Sequence, residues 1–288
     1  MAEKPTKRVS EVKAKNPEAA PGWKPTPESA AKATQLRIVS WCVWAVAIGA
    51  EAFAIFWVLK QVPVKMWLLI VLIVVAGILS VVGSLCWKQA NRLDPASNQD
   101  KLRFFVQNQL GAIIAVIAFL PLIIMIFLNK NMDGKQKAVA GGIGVVVLLI
   151  AGALGVSWDS PSQEQYAAET NIVKQLTGED LVFWTKSGGV FHVCESVPDV
   201  NKESKDGTIY QGTVAAAHEA GKDRLTKRWE SEALNYCGYT EADVANATSG
   251  IDVANLDATD PESTDTDSAD TAPADTESAN DAEETPAQ

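Results

Sequence analysis

The sequence of 288 residues lacks the motifs by which several common enzyme classes are recognised. It contains no His-Glu-x-x-His and no Gly-x-Ser-x-Gly, the patterns of zinc proteases and of serine hydrolases. The glycines Gly141, Gly142 and Gly144 lie inside an apolar segment and not between a strand and a helix, so they do not predict a phosphate-binding loop. We therefore expect no enzymatic activity and no cofactor.

Cysteine is scarce, and no leader segment is predicted. Four cysteines in a chain of this length do not predict a disulfide scaffold, and Cys42 and Cys86 lie in apolar segments where thiols pack as small apolar groups. The first 35 residues are polar and hold no short apolar core near Met1. No cleavable signal peptide is therefore predicted, and the first apolar run is expected to act as the insertion signal.

Four long apolar runs are present, at residues 36–59, 66–87, 104–128 and 137–158. Each has at least 22 residues, and a helix needs about 20 apolar residues to cross a hydrocarbon layer of about 30 Å. Backbone groups in lipid must bond within their own segment, so the runs should be helices. The predicted fold is an all-α transmembrane four-helix bundle, followed by a small soluble α+β module, with disordered termini.

The net charge of −10 belongs to one end of the chain. Residues 246–288 hold 12 acidic residues and no Lys or Arg, which leaves the rest of the chain near neutral. This composition cannot bury a core, so a disordered acidic tail is predicted, and residues 1–35 are predicted to form a disordered basic arm. The soluble module then spans residues 159–245, between the bundle and the tail.

Basic residues favour the cytoplasmic ends of membrane helices. With the amino terminus inside, 12 basic residues near the spans lie on the cytoplasmic side and 5 on the other side. Four crossings then return the module to the cytoplasm, so we expect a multi-pass protein of the cell membrane with both termini cytoplasmic. Its expected partners are the lipid bilayer and a protein bound by the module. No motif indicates a nucleic acid.

Small residues recur at helical spacing in the second, third and fourth runs. Such residues let helix backbones approach closely, either within one bundle or between copies in a homo-oligomer, and both alternatives stay open. Glu51 is the one acidic residue well inside a run, at a depth that matches the glycines of the fourth run. A carboxylate in a membrane is costly, so Glu51 is either a structural residue or the proton carrier of a small transporter.

The soluble part shows signals for a helix, a hairpin and a capped helix. Residues 160–163 predict a helix start, with the helix continuing to Leu176 and ending at Gly178. Strands at 180–186 and 190–194 around a glycine turn predict a hairpin, and 208–211 adds a short strand. Thr213 is expected to cap a helix that ends at Gly221.

Two segments of the module, LVFWTKSGGVFHVC and GTIYQGTVAAAHEAGKDRLTKR, resemble those of a known group of proteins. They are similar to a module of uncharacterised four-span membrane proteins of actinobacteria, which carries aromatic-Trp-Thr, a glycine turn, aromatic-His and then Gly-Thr-Val-x-x-Ala-His-x-x-Gly-Lys-x-Arg-Leu-Thr. The resemblance covers about 50 residues and the four-span layout. It implies the same architecture and carries no activity.

A more distant similarity is to a small module in which His and Cys residues suggest a zinc site. It implies His192, Cys194 and Cys237 as metal ligands, with His218 as the fourth, although the Cys-x-x-Cys of that module is absent here. Residues two apart on a strand share a face, so His192 and Cys194 could reach one ion. The alternative is a folded module with ordinary buried cysteines and partly buried histidines.

The favoured function is that of a non-enzymatic membrane anchor or scaffold that presents the module to a protein partner. We expect the interaction face around Trp184, His192 and His218. The alternatives are a small proton-coupled transporter that uses Glu51 and a metal-binding sensor module.

Overall fold

The computed structural model describes residues 8–11, 23–158, 160–203 and 206–249. It is mostly helical, with four long apolar helices followed by a small region of short helices and strands, as the sequence predicts. Most of both termini, including residues 250–288 of the predicted acidic tail, lies outside the described residues.

The four long helices are α1 (Pro27–Phe56), α2 (Met66–Leu93), α3 (Lys101–Leu128) and α4 (Gly134–Gly155). Each is long and apolar enough to cross a membrane. Many large apolar side chains on their outer surfaces are exposed, among them Trp41, Phe56, Ile78, Ile117 and Leu149. Lipid is the solvent that such a surface requires, and this is the architecture of a multi-pass membrane protein.

The helices extend beyond the apolar runs because polar residues begin or continue them. Helix α1 begins within the predicted basic arm, where the Thr26 side chain accepts a hydrogen bond from the Ser29 amide and Pro27 occupies the first turn. Helix α4 begins with a capping box formed by Asp133 and Gln136. Helix α2 continues six residues past the predicted boundary, which carries its last, polar turn out of the apolar layer.

Helix α2 lies at the centre of the bundle and packs against the other three helices, while α3 and α4 form a second close pair. The small residues predicted from the sequence allow these helices to pack closely. A Cβ atom added at Gly155 would lie 2.6 Å from the Gly111 carbonyl carbon and the Ala112 nitrogen, so these two backbones touch. The small-residue pattern therefore accounts for contacts within one bundle, and a homo-oligomer stays a prediction.

Within the described residues, the module contains five short helices and four strands. They are α5 (Gln163–Thr177), β2 (Val182–Trp184), β3 (Val190–Phe191), α6 (Pro198–Glu203), β4 (Thr208–Gly212), α7 (Val214–Glu219), β5 (Arg224–Leu225), α8 (Trp229–Tyr236) and α9 (Glu241–Thr248). A further strand, β1 (Arg8–Glu11), comes from the amino-terminal arm. The order β1-β4-β2 makes one sheet, in which β4 is parallel to β1 and antiparallel to β2, and β3 pairs with β5 in parallel.

The predicted hairpin and capped helix are present, but the strands and the helix are shorter than predicted. Strands β2 and β3 are joined by reciprocal backbone hydrogen bonds between Phe183 and His192, on either side of the glycine turn. Thr213 caps α7 by accepting from the Ala216 amide. The first helix of the module begins after Ser162 rather than Ser160, because the Ser162 hydroxyl accepts from the Gln165 amide.

The module lies at the end of the bundle where α1 begins and α2 ends. Trp23, just before α1, packs edge-on against Tyr166 of α5 with ring centroids 4.9 Å apart. Helix α7 contacts α2 directly. The start of α1 and the module are therefore on the same side, as four crossings require.

Candidate functional site

The junction between the bundle and the module is held by Arg92, in the last turn of α2. Its guanidinium donates to Asp223 Oδ1 at 2.6 Å and to the Gly221 carbonyl at 3.2 Å. Its own carbonyl accepts from the Tyr166 hydroxyl at 3.1 Å. One residue of the bundle thus binds both α5 and the turn after α7, because α2 continues past the apolar layer.

Other contacts at the junction involve both the start of α1 and the loop between α2 and α3. The Ser29 hydroxyl donates to the Glu219 carboxylate, and Gln89 Nε2 donates to the Glu219 carbonyl at 3.2 Å. The Glu164 carboxylate accepts from the Ser97 hydroxyl and, at 2.8 Å, from the Asn98 amide. The module is therefore attached to three parts of the membrane unit.

Behind this junction lies a buried polar group that we call the His218 cluster, formed by Tyr166, Glu169 and His218. His218 Nε2 is 2.6 Å from Glu169 Oε2, and His218 Nδ1 is 2.9 Å from the Lys222 carbonyl. The imidazole stacks on the Tyr166 ring at 3.6 Å. Because a carbonyl only accepts hydrogen bonds, Nδ1 carries a proton, and Nε2 faces a carboxylate.

The second Glu169 oxygen is also satisfied. Oε1 accepts from the Leu225 amide at 3.0 Å and from Gln165 Nε2 at 3.1 Å. Glu169 and His218 are each 1% exposed. Burial, reinforced by the nearby Glu169 charge, raises the pKa of the Tyr166 hydroxyl well above its usual value, so this hydroxyl stays a donor. The cluster joins α5, α7 and β5, and its three side chains are all buried.

A second buried pair joins β3 to α8. His192 Nδ1 lies 2.9 Å from Glu232 Oε2. Nearby, Cys194 and Cys237 form a disulfide bond across 43 residues of sequence. The hydrogen-bonded pair and the disulfide hold the same two segments together.

The predicted metal ligands are not brought together as one set. Cys194 and Cys237 are bonded to each other, while His192 and His218 belong to the two separate carboxylate pairs described above. Among the residues that the structure describes, no group of three or more His, Cys, Asp or Glu is placed to hold a metal ion. The alternative of ordinary buried cysteines is corrected at the same place, because Cys194, shortly after β3, and Cys237, at the end of α8, form a disulfide.

The predicted interaction face lies in the interior of the module. Trp184 is 2% exposed and stacks beside Tyr210, His192 is 3% exposed, and His218 is buried. These side chains form part of the core and of its polar pairs, so they do not present a surface to a partner.

Glu51 is buried within the bundle, against α3 and not against the glycines of α4. Its Oε1 accepts from the Leu122 amide at 3.2 Å, one residue after Pro121. A backbone donor beside an intrahelical proline is a position where an added acceptor stabilises the helix. The structure therefore shows a local structural contact for this carboxyl group.

Sequence reasoning missed the residues of the junction, and it also missed Glu169 of the His218 cluster, although the pattern of α5 carries a signal for Glu169. In α5, the buried positions Tyr166, Ile172, Val173 and Leu176 form an apolar stripe, and Glu169 interrupts it. A carboxylate on the buried side of an amphipathic helix predicts a buried partner. Arg92 and Asp223 gave no such signal, because each lies in an ordinary polar segment.

No family model, curated protein or solved structure matches this chain. The resemblance to four-span actinobacterial proteins therefore stays a prediction.

Proposed function

We propose that this protein is a non-enzymatic membrane scaffold, in which the helical bundle holds the module at a fixed position on the membrane surface. The observation that carries the proposal is the set of contacts made by Arg92, which binds Asp223, the Gly221 carbonyl and, through its own carbonyl, Tyr166. A module that needed only to be anchored would require no more than a single tether, whereas this module is attached to the bundle at several points.

The polar groups of the module support a structural role. The carboxylates of Glu169 and Glu232 and the imidazoles of His192 and His218 are buried and bonded to one another. Hydrogen bonds to charged groups stabilise by about 1.5–3 kcal/mol when both partners are buried and satisfied. These pairs therefore strengthen the fold of a small module, whose apolar core alone stabilises it little.

A partner-capture experiment on the full-length protein in its native membrane tests the proposal. A photo-crosslinking amino acid replaces Tyr236, an exposed residue of α8 remote from the junction contacts. A scaffold should give a discrete cross-linked protein, and Arg92→Gln should weaken that product while the module remains folded. Cross-links to lipid alone, or a product unaffected by Arg92→Gln, would contradict fixed placement as the basis of function.

We propose that both termini are cytoplasmic, on the support of the 12 to 5 distribution of basic residues. The disulfide between Cys194 and Cys237 argues for the opposite side, because disulfides persist mainly in oxidising compartments. A reporter that is active only in the cytoplasm, fused after Gln288, distinguishes the two orientations. If the module is cytoplasmic, both thiols should also be reduced in intact cells, and labelling by a membrane-impermeant reagent should require permeabilised cells.

The alternative of transport through Glu51 has its own test. Glu51→Gln keeps an oxygen that can accept from the Leu122 amide but removes the ionisable group. For a structural role, we expect normal assembly with Glu51→Gln and impaired assembly with Glu51→Leu. Loss of substrate export with Glu51→Gln in a correctly assembled protein would instead support the transporter.

A further inference from the structure

Two depressions lie along the seam between α2 and α4, one above the other. The first is a groove of about 280 Å³ whose lining is entirely apolar. It is lined by side chains of both helices, including Val74, Ile78, Val81 and Val82 of α2 and Val147 and Ile150 of α4. Since this surface faces the lipid layer, the groove has the chemistry of a site for a hydrocarbon chain.

The second depression is a polar pocket of about 150 Å³ at the end of the bundle next to the module. Its lining includes Lys88 and Arg92 of α2, Trp158 beyond the end of α4, and Asp223 of the module. Trp158 is 74% exposed, as is typical of indole rings at the boundary between hydrocarbon and lipid headgroups.

Helical spacing places the pocket directly beyond the groove. Lys88 follows Val81 by seven residues, which is two turns of α2 and about 10 Å along its axis, on nearly the same face. On the other side of the seam, α4 ends at Gly155, four residues after Ala151 of the groove, and Trp158 of the pocket follows three residues later. The apolar groove and the polar pocket are thus successive parts of one surface.

The charges of the pocket favour an anion. Arg92 is paired with Asp223, which cancels one positive charge against one negative charge. Lys88 donates one hydrogen bond from Nζ to the Val156 carbonyl at 2.6 Å. A lysine ammonium has three donors, and one of them is used within the part of the chain that the structure describes, which leaves two for another acceptor. The partly exposed side chain can reach the headgroup layer.

We propose that this seam binds one anionic phospholipid, with an acyl chain in the groove and the phosphate at Lys88. Among the described residues that line it, the pocket has an excess of one positive charge, which matches a phosphodiester. The order of polar pocket and apolar groove matches the order of headgroup and chain in a bilayer leaflet. Because Arg92 lines the pocket and also holds the module, the bound lipid lies against the junction itself.

Native mass spectrometry of the full-length protein released from nanodiscs tests this proposal. Discs contain equal parts of phosphatidylglycerol and phosphatidylcholine, and we expect one phosphatidylglycerol to be retained. Lys88→Gln should reduce retention about fivefold, the effect of one lysine at an anionic surface, while Lys88→Arg should keep it. Lys101→Gln is the matched control, because Lys101 is exposed at the same end of the bundle and does not line the pocket.

The groove is tested separately by filling it. Ile78→Trp should lower retention of phosphatidylglycerol, whereas Ile124→Trp, at an exposed isoleucine of α3 outside the groove, should not. Equal retention of the two lipids, or no effect of Lys88→Gln in a folded protein, would overturn the proposal. Sensitivity to Lys88→Gln without sensitivity to Ile78→Trp would also overturn it, since the site would then bind a phosphate group and not a lipid.

Discussion

At the scale of single residues, the module depends on buried charged groups that satisfy one another. Glu169 accepts from Gln165 of its own helix and from the Leu225 amide, and it is hydrogen-bonded to His218, so two of these bonds join other segments to α5. Removing one member of such a network lowers the free energy of unfolding by more than forming the network raises it, because the remaining group stays buried without its partner. The same reasoning makes Glu169 more informative as a mutation site than any exposed carboxylate.

We therefore expect Glu169→Gln to destabilise the module by about 3–5 kcal/mol, because the buried His218 Nε2 loses its carboxylate partner. Hydrogen exchange of the module amides in the detergent-solubilised full-length protein measures this effect. Glu230→Gln, an exposed carboxylate of α8, is the control and should change stability by less than about 0.5 kcal/mol. Equal effects of the two substitutions would show that the His218 cluster contributes nothing to stability.

Asp180 provides a residue whose effect depends on pH. Its Oδ1 accepts from the Val214 amide at 2.9 Å, and burial raises the pKa of this carboxyl group above the usual 3.8, although the Val214 bond and Lys174 oppose the shift. The folded module therefore binds the Asp180 proton more tightly than the unfolded chain does. The contribution of Asp180 to stability is present below its usual pKa and is lost as the pH rises through the raised pKa.

Asp180→Asn should remove this dependence while keeping an oxygen for the Val214 amide. We expect the variant to be at least as stable as the natural protein near neutral pH and relatively less stable in acid. The melting temperatures of the two proteins, compared from about pH 4 to 7, measure the difference. A constant difference across this range would contradict the proposed titration.

At the scale of elements, backbone contact decides how the helices pair. Gly155 and Gly152 lie in the same last turn of α4, but only Gly155 touches another helix. A Cβ atom at Gly155 would meet the backbone of Gly111 and Ala112, whereas one at Gly152 would meet nothing within 4 Å. A small residue is therefore required at one of these positions and not at the other.

Gly155→Ala should destabilise the bundle by about 1–3 kcal/mol, since backbone atoms of α3 would have to move apart from α4. Gly152→Ala should be neutral, or stabilising by up to about 1 kcal/mol through helix propensity. Unfolding of both variants in mixed micelles by a denaturing detergent measures these changes. Identical midpoints for the two would show that the α3–α4 contact is looser than the structure describes.

At the scale of the whole molecule, the elements that follow from local chemistry could be predicted and their associations could not. The four apolar runs required helices, and Thr213 required a helix start, because each signal lies within one segment. Arg92 and Asp223 are 131 residues apart, and Cys194 and Cys237 are 43 apart, so nothing in either local sequence indicates its partner. The sequence therefore predicts a module next to the bundle but not the residues that join the two.

The pair Arg92–Asp223 allows the rigid connection to be tested by exchanging charges. Arg92→Asp and Asp223→Arg should each loosen the module, because each places like charges at a distance where the natural pair forms a 2.6 Å bond. The double substitution should recover part of the loss, with a coupling free energy of about 0.5–3 kcal/mol. Hydrogen exchange of α7 and of the following turn in the intact protein measures all four members of the cycle. Additive effects of the two substitutions would mean that the module is held by the Ser29, Gln89 and Glu164 contacts and that Arg92 is dispensable.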